Sequence, residues 1–232
     1  MWSGPRNLST ALMRSFENRK DTWIYDEPFY AYYLNNTKIK HPMKTEIINH
    51  YPILERIIIK KITLEKKDKK IFYQKHMTHH ILKNTKLDWI NEGYNCFLIR
   101  HPAKVINSYI KKNTLKNIND VGYKKQYEIF SKIKNKKLQF TVINADSILK
   151  DPKKIIKKLC TKLNIRYSKK MLNWPKGKRQ TDGIWSKVWY HNVEQSTSFS
   201  KYKKENLNVP KKYLKIYKES LLYYNQMIKY SI

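Results

Sequence analysis

Apolar and polar positions along the chain fall into short blocks of changing period. Leu12 and Phe16 stand at helical spacing in the segment Ala11 to Asn18, directly after the polar turn Ser3-Gly4-Pro5-Arg6-Asn7-Leu8-Ser9-Thr10. Ser9 or Thr10 is the expected N-cap of that helix. Thr22 to Tyr25 reads as a short strand closed by Asp26-Glu27-Pro28, and Ile53 to Ile62 is apolar enough for a buried helix. The charged residues Glu65 to Lys70 predict a solvated turn. Ile71-Phe72-Tyr73-Gln74 is strand-like, followed by Lys75-His76-Met77 and a helix through Asn84. The run Cys96-Phe97-Leu98-Ile99 suits a central parallel strand. Pro102 stands where the next helix would begin, its favoured first position. Phe140 to Ile143 predicts another strand, and Asp151-Pro152 opens a helix with Ile155, Ile156, Leu159 and Leu163 at helical spacing.

The strand-loop-helix unit recurs about five times, which predicts an α/β fold: a central, mostly parallel sheet of about five strands with helices on both faces. With no internal repeat and no Gly/Ser-rich linker, residues 1–232 read as a single domain. Only Met1 and Trp2 precede the polar turn, so the first strand is expected to be very short, or else to begin upstream of Met1.

Composition narrows the class. The 232 residues are 41% hydrophobic and 13% aromatic, enough for one sizeable core. Lys and Arg number 49 against 18 Asp and Glu, a net charge of +31, yet only seven of the basic residues are arginine. Lys, Ile, Asn and Tyr form close to half the chain and share A/T-rich codons, so base composition explains the charge as readily as a polyanionic partner does. The longest apolar run is Phe29 to Leu34, far short of the roughly eighteen residues of a membrane span. A signal-peptide pattern is not seen, and Cys96 and Cys160 read as buried thiols rather than a disulfide or metal pair. A reduced, cytoplasmic protein is the expectation.

Four features carry candidate chemistry. Three fall at the ends of predicted strands, where open α/β sheets bind ligands. The turn Ser3 to Thr10 feeds a helix whose unpaired N–H groups and positive end suit a phosphate or sulfate, with Arg6, Ser9 and Thr10 adding charged and hydroxyl donors. The Walker GxxxxGK[ST] pattern is absent. Arg100-His101-Pro102 closes the central strand, and Ser108 follows about two turns into the next helix, where an Arg fork and a hydroxyl could grip a second phosphate. Lys75-His76 follows a strand, and a histidine can take a hydroxyl proton near neutral pH. His76, His79 and His80 would share a helical face, but no carboxylate or cysteine nearby in sequence completes a metal site, so none is expected. The segment Trp174 to Phe199 mixes Lys176, Lys178 and Arg179 with Trp185 and Trp189, cations for a phosphate and indoles for stacking on a base. The same tryptophans equally suit burial against the core.

Taken together, these segments resemble the sulfotransferase superfamily, and in particular short bacterial members that open with S-G-P-R-N-x-S-T-A. The likeness runs from Ser3 to about Phe199. The family's 5′-phosphosulfate loop, P-K-S-G-T-T-W, stands here as Pro5-Arg6-Asn7-Leu8-Ser9-Thr10-Ala11. Its 3′-phosphate signature, R-x-P followed by S-Y, stands as Arg100-His101-Pro102 and Ser108-Tyr109. Its K-x-H segment after a middle strand corresponds to Lys75-His76, and its Y-E-D-L-x-x-D-P segment resembles Asn144 to Pro152. The resemblance implies a three-layer P-loop-like fold and 3′-phosphoadenosine 5′-phosphosulfate as donor, without a metal. It implies sulfuryl transfer to a hydroxyl or amine of a small acceptor, with His76 as general base beside Arg6 and Lys75. Donor contacts would come from Arg6, Asn7, Leu8, Ser9, Thr10, Arg100, Ser108, Lys178 and Arg179. Asp26 and Glu27, ending the second strand, would orient the acceptor or serve as an alternative base.

Three departures from the family pattern stand out. Arg6 replaces a lysine and cannot give up a proton, though it can stabilise charge on the leaving oxygen. Leu8 replaces a glycine, and Ala11 replaces an aromatic residue. Three other classes stay open: a P-loop-like phosphotransferase, a nucleotide-binding relative without transfer activity, and a nucleic-acid binder. The last fits poorly, since arginine is the usual base-edge reader and the lysines are scattered. The acceptor and the oligomeric state are not legible.

Overall fold

A computed structural model describes residues 1–64 and 68–232, so part of the charged turn expected at Glu65 to Lys70 lies outside the described residues. Five parallel strands, β1 (Trp2–Ser3), β2 (Thr22–Asp26), β3 (Ile71–Met77), β4 (Asn95–Ile99) and β5 (Phe140–Asn144), form one sheet in the order β2-β3-β1-β4-β5. Although two residues long, β1 holds the central position: Trp2 pairs with His76 on one side and Phe97 on the other. The chain just before it continues the pairing, as the Met1 carbonyl accepts the His76 amide at 2.8 Å.

Helices cover both faces. Alternation along the strands decides which residues meet which helices. Cys96, Leu98 and Ile143 face a cluster built on α1 (Ser9–Glu17), α2 (Tyr30–Asn35), α3 (Lys44–His50) and the later α7 (Ala145–Lys150) and α8 (Pro152–Lys162). Phe97, Ile99 and Val142 face a second cluster built on α4 (Glu55–Thr63), α5 (Pro102–Tyr109), α6 (Tyr123–Asn135) and the last helix, α11 (Leu214–Ile228). Between α8 and α11 lie two single-turn helices, α9 (Ser186–Trp189) and α10 (His191–Glu194). Because both faces are covered, β4 is buried along its whole length, and this accounts for the unbroken apolar run at residues 96–99.

Local chemistry explains the element ends. Pro102 opens α5 at a position whose amide has no helical partner. Asp151 caps α8, its carboxylate accepting the Lys154 amide at 2.9 Å, with Pro152 next. Two expectations change. The helix expected through Asn84 is a single 3₁₀ turn, Thr78–His80, because the Leu82 amide is taken by the Thr85 hydroxyl at 3.0 Å and the chain turns away. The Ile53–Ile62 segment forms α4, but as a surface helix with only Ile58 and Ile62 buried. Both cysteines are free and buried. Among the described residues no helix is long and apolar enough to cross a membrane.

Candidate functional site

The turn from β1 to α1 is built from unusual backbone. Arg6 and Leu8 both take left-handed φ values, 62° and 73°. For residues with a Cβ this costs about 1–2 kcal/mol each, and such conformations cluster at functional sites. Leu8 therefore adopts the geometry that a glycine would take more easily. The expected cap moves accordingly: Leu8, not Ser9 or Thr10, is the N-cap residue, and no side chain caps α1. The first-turn amides of α1 are thus left for another acceptor, at the positive end of the helix dipole. Asn7 ties the turn to the central strand, donating to the Leu98 carbonyl at 3.3 Å.

Arg100, at the end of β4, and Ser108, on α5, meet this turn. Arg6 Nε donates to Ser108 Oγ at 2.9 Å, and Arg100 Nη1 donates to the Arg6 carbonyl at 3.3 Å. The six residues Arg6 to Ala11 line one cleft of about 420 Å³ with Arg100 and Ser108. Burial and the neighbouring Arg100 both lower the pKa of Arg6. Among the described residues, Arg6 has a hydroxyl partner but no carboxylate within ion-pair distance. Arg100 does have carboxylate neighbours: its Nη2 bonds Glu205 at 2.6 Å, and its Nε lies 3.8 Å from Asp146.

The opposite wall comes from the latter part of the Trp174–Phe199 segment and the residue after it, through side chains other than the expected cations: Tyr190, Asn192, Val193, Ser196, Ser198 and Ser200, beside Trp189. The Thr197 carbonyl accepts the Trp174 amide at 2.8 Å, and Asn173 bridges to Ser198. The Ser196 hydroxyl accepts from Trp174 Nε1 at 3.1 Å and donates to the Val193 carbonyl at 2.7 Å, while Phe199 packs edge-on against Trp174. The only sequence signal was the period-2 serine pattern at 196, 198 and 200, seen against a long irregular segment. Of the two expected stacking tryptophans, Trp189 lines the cleft, whereas Trp185 is buried against Tyr30 and Tyr51.

Behind Tyr190 and Thr10 lies a buried charge cluster. Asp26 and Lys75 are direct partners across β2 and β3, and Lys75 Nζ lies 2.9 Å from Asp26 and 2.8 Å from Glu27. The same ammonium donates to Thr10 Oγ1 at 3.3 Å and to the Tyr190 hydroxyl. That hydroxyl donates to Asp26 at 2.6 Å and accepts from Trp185 Nε1 at 3.2 Å. Burial works against the Lys75 ammonium, but Asp26 and Glu27 outweigh it and hold its pKa above the ordinary lysine value. Glu27 takes a left-handed φ of 44°. Burial pushes its carboxyl up to about 6 against the pull of Lys75.

His76 is placed differently. It points to the opposite face from Lys75, stacked on Trp2 at 4.8 Å and close to Trp89 and Phe29. Its Nε2 meets Gln74 Oε1 at 3.0 Å, and burial holds the ring's pKa well below the usual histidine value. It lies outside the residues lining the Arg6–Arg100 cleft. His79 and His80 sit in the 3₁₀ turn that follows β3, so the three histidines do not lie on one helix. Among the described residues no group of three His, Cys, Asp or Glu side chains could hold a metal ion.

Lys178 and Arg179 also lie elsewhere. Arg179 donates to the carbonyls of Gly177 and Lys178 at 3.3 and 3.0 Å, and its Nε stands 3.6 Å from Glu17, the last residue of α1. That is the far end of α1 from the Arg6 turn, about 12 Å along the helix. Lys178 is exposed beside it.

The result is a parallel α/β sheet with helices on both faces and two arginines gathered beside the uncapped first turn of a helix, an arrangement whose geometry suits an anion. The chain belongs to the sulfotransferase domain family, whose model it matches over residues 1–230. Its fold is that of solved bacterial sulfotransferase domains. The sulfotransferase domain of the Synechococcus PCC 7002 olefin synthase is 13% identical with a TM-score of 0.62, covering 100% of this chain and 94% of that one. A sulfotransferase from Alicyclobacillus acidocaldarius is 12% identical with a TM-score of 0.58, covering 100% and 95%. The branched-chain-amino-acid aminotransferase-like proteins 1 and 2 of Arabidopsis thaliana are 32% and 30% identical over 97% of this chain. The chain spans 40% of the length of each of those relatives.

Proposed function

We propose that the chain is a sulfotransferase that moves a sulfuryl group from 3′-phosphoadenosine 5′-phosphosulfate to a hydroxyl or amine of a small acceptor. The carrying observation is that Arg6 and Arg100, 94 residues apart, line one cleft and are joined by the Arg100–Arg6 carbonyl bond. Two guanidinium groups held side by side suit a ligand with two separated anionic groups. In this reading Arg6 and the amides of Ser9 and Thr10 hold the 5′-phosphosulfate end, with Asn7 and Leu8 setting the turn. Arg100 and Ser108 hold the 3′-phosphate. The wall of Ser196, Ser198, Ser200 and Trp189 replaces Lys178 and Arg179 as the second side of the donor cleft.

Glu27 serves as the base. It stands one contact behind the cleft wall, 3.3 Å from the Tyr190 hydroxyl, and its raised pKa puts proton uptake near working pH. As the acceptor oxygen or nitrogen bonds to sulfur, its proton passes to the Tyr190 hydroxyl in the cleft wall while that hydroxyl's own proton passes to Glu27, and the bond from sulfur to the 5′-phosphate oxygen breaks. Arg6 and the helix end stabilise the charge that collects there. His76, on the other side of the sheet, keeps a packing role.

Calorimetric titration with 3′,5′-adenosine bisphosphate and with ATP tests the reading. The bisphosphate is expected to bind more tightly than ATP, and Arg6→Ala and Arg100→Ala each to weaken it about tenfold or more. Equal or weaker binding of the bisphosphate would remove the donor assignment.

A further inference from the structure

The segment from Ser200, which lines the cleft, to Pro210 has neither helix nor strand and runs beside Arg100 and α5. Its anchors flank one acidic residue. On one side, the Tyr202 ring lies under the ammonium groups of Lys104 and Lys150, at 5.0 and 4.9 Å. On the other, Asn107 Nδ2 donates to the Asn208 carbonyl at 2.9 Å. Between them Glu205 reaches Arg100 Nη2 at 2.6 Å. Glu205 is the one acid between residues 195 and 218, a stretch with seven lysines.

Arg100 is therefore compensated by a carboxylate from a distant segment rather than by its own surroundings. Asp146 is no substitute. Its nearer oxygen is 3.8 Å from Arg100 Nε, and its other oxygen is held by Lys104 at 2.7 Å. The Glu205 side chain is 38% exposed, so its carboxylate is readily hydrated when it leaves, and the two anchors do not require it to stay.

Resting on the donor reading above, we propose that Glu205 is a tethered stand-in for the nucleotide's 3′-phosphate: it competes with that phosphate for Arg100 and so sets how tightly, and for how long, the cleft holds a 3′-phosphorylated nucleotide. The exchange favours the phosphate, which brings a charge of about −1.5 to −2 and paired oxygens against a single carboxylate charge. A nucleotide with a plain 3′-hydroxyl gains nothing by displacing Glu205. The same competition speeds departure of the bisphosphate product, which shares the 3′-phosphate with the donor.

The test compares Glu205→Gln with the unaltered chain, using 3′,5′-adenosine bisphosphate and adenosine 5′-monophosphate as probes in titration and stopped-flow dissociation. Glu205→Gln is expected to tighten the bisphosphate about three- to tenfold, mainly through slower dissociation, and to leave the monophosphate within about twofold. In an Arg100→Ala background the gain disappears. Glu46→Gln, the same charge change on the exposed face of α3, leaves both nucleotides unaffected. If the bisphosphate binds the unaltered chain and Arg100→Ala weakens it, but Glu205→Gln changes nothing, the competition is refuted while the donor reading stands. Equal gains for both nucleotides would reduce Glu205 to a general charge effect and also refute it. No bisphosphate binding to the unaltered chain would overturn the donor reading itself.

Discussion

Lys75 and His76 are neighbours in β3, yet Lys75 Nζ lies 3.3 Å from Thr10 Oγ1 in the Arg6–Arg100 cleft while the His76 ring stacks on Trp2 beneath the other face of the sheet. Strand alternation alone separates them. The consequence for chemistry is direct, because the Lys75 side carries Asp26 and Glu27, which meet the cleft wall at the Tyr190 hydroxyl.

Glu27→Gln and His76→Phe should therefore differ sharply. The first is expected to lower donor-dependent sulfation of a metabolite pool by about a hundredfold or more, the range for losing a general base, with bisphosphate affinity kept. The second is expected to keep both within about threefold, since an aromatic ring still fills the space among Trp2, Phe29 and Trp89. Mass-spectrometric detection of added sulfate reads the outcome. The reverse order of sensitivity would return the base to His76.

Tyr190→Phe isolates the hydroxyl from the ring. Asp26 loses a 2.6 Å hydrogen bond in a buried setting, and Lys75 and Trp185 each lose an acceptor. Chemical unfolding should show a loss of about 1–3 kcal/mol. The ring remains as cleft wall, so bisphosphate affinity should hold within about twofold. Unchanged stability would mean that the cluster does not depend on this hydroxyl.

Acid should unfold the protein early. A histidine held neutral in the fold but free to take a proton when unfolded favours the unfolded chain increasingly as pH falls below about 6.5. His76, His79 and His80 are all of this kind through burial, with His79 pushed down to about 4. Each contributes a loss of about 1.4 kcal/mol per pH unit until its own folded pKa is reached. Glu27, raised to about 6, works in the opposite sense: its contribution is present at low pH and is lost as pH rises from 4.5 to 6. One carboxyl opposes three histidines. The urea midpoint should therefore drop steeply from pH 7 to pH 5, and a flat profile would show that the histidines are not held neutral.

Gly183 has a steric reason. A Cβ there would lie 2.1 Å from Trp185 Cζ2, and Trp185 is a buried core residue. Gly183→Ala is expected to cost about 1–3 kcal/mol or more by overpacking, and to loosen Tyr190 next to the cleft. Asp151→Ala, which removes only the α8 cap, should cost about 1 kcal/mol and leave bisphosphate binding unchanged. Thermal melts of the two variants separate a site-linked loss from a remote one.

Much of the fold was legible in the chain. Apolar runs such as Cys96 to Ile99 mark strands covered on both faces, and Pro102 and Asp151-Pro152 mark helix starts by local chemistry that needs no distant partner. The turn from Ser3 to Thr10 and Arg100 were legible for the same reason: each sits at a strand-to-helix junction, and in a parallel sheet all such junctions share one edge, while Ser108 follows from Arg100 by helical spacing.

Other features depended on the packed chain. Which of Lys75 and His76 faces α1 depends on the register of β3 against β1 and β2, and a shift of one residue would exchange them. Lys178 and Arg179 carry the right charges, but only the path of the chain shows that they meet Glu17 at the far end of α1. The wall at Tyr190 and Ser196 to Ser200, and the reach of Glu205 to Arg100, join residues roughly a hundred or more positions apart in sequence. Local propensity carries no record of such contacts, because they exist only after the sheet has assembled and the irregular segments have closed over its edge.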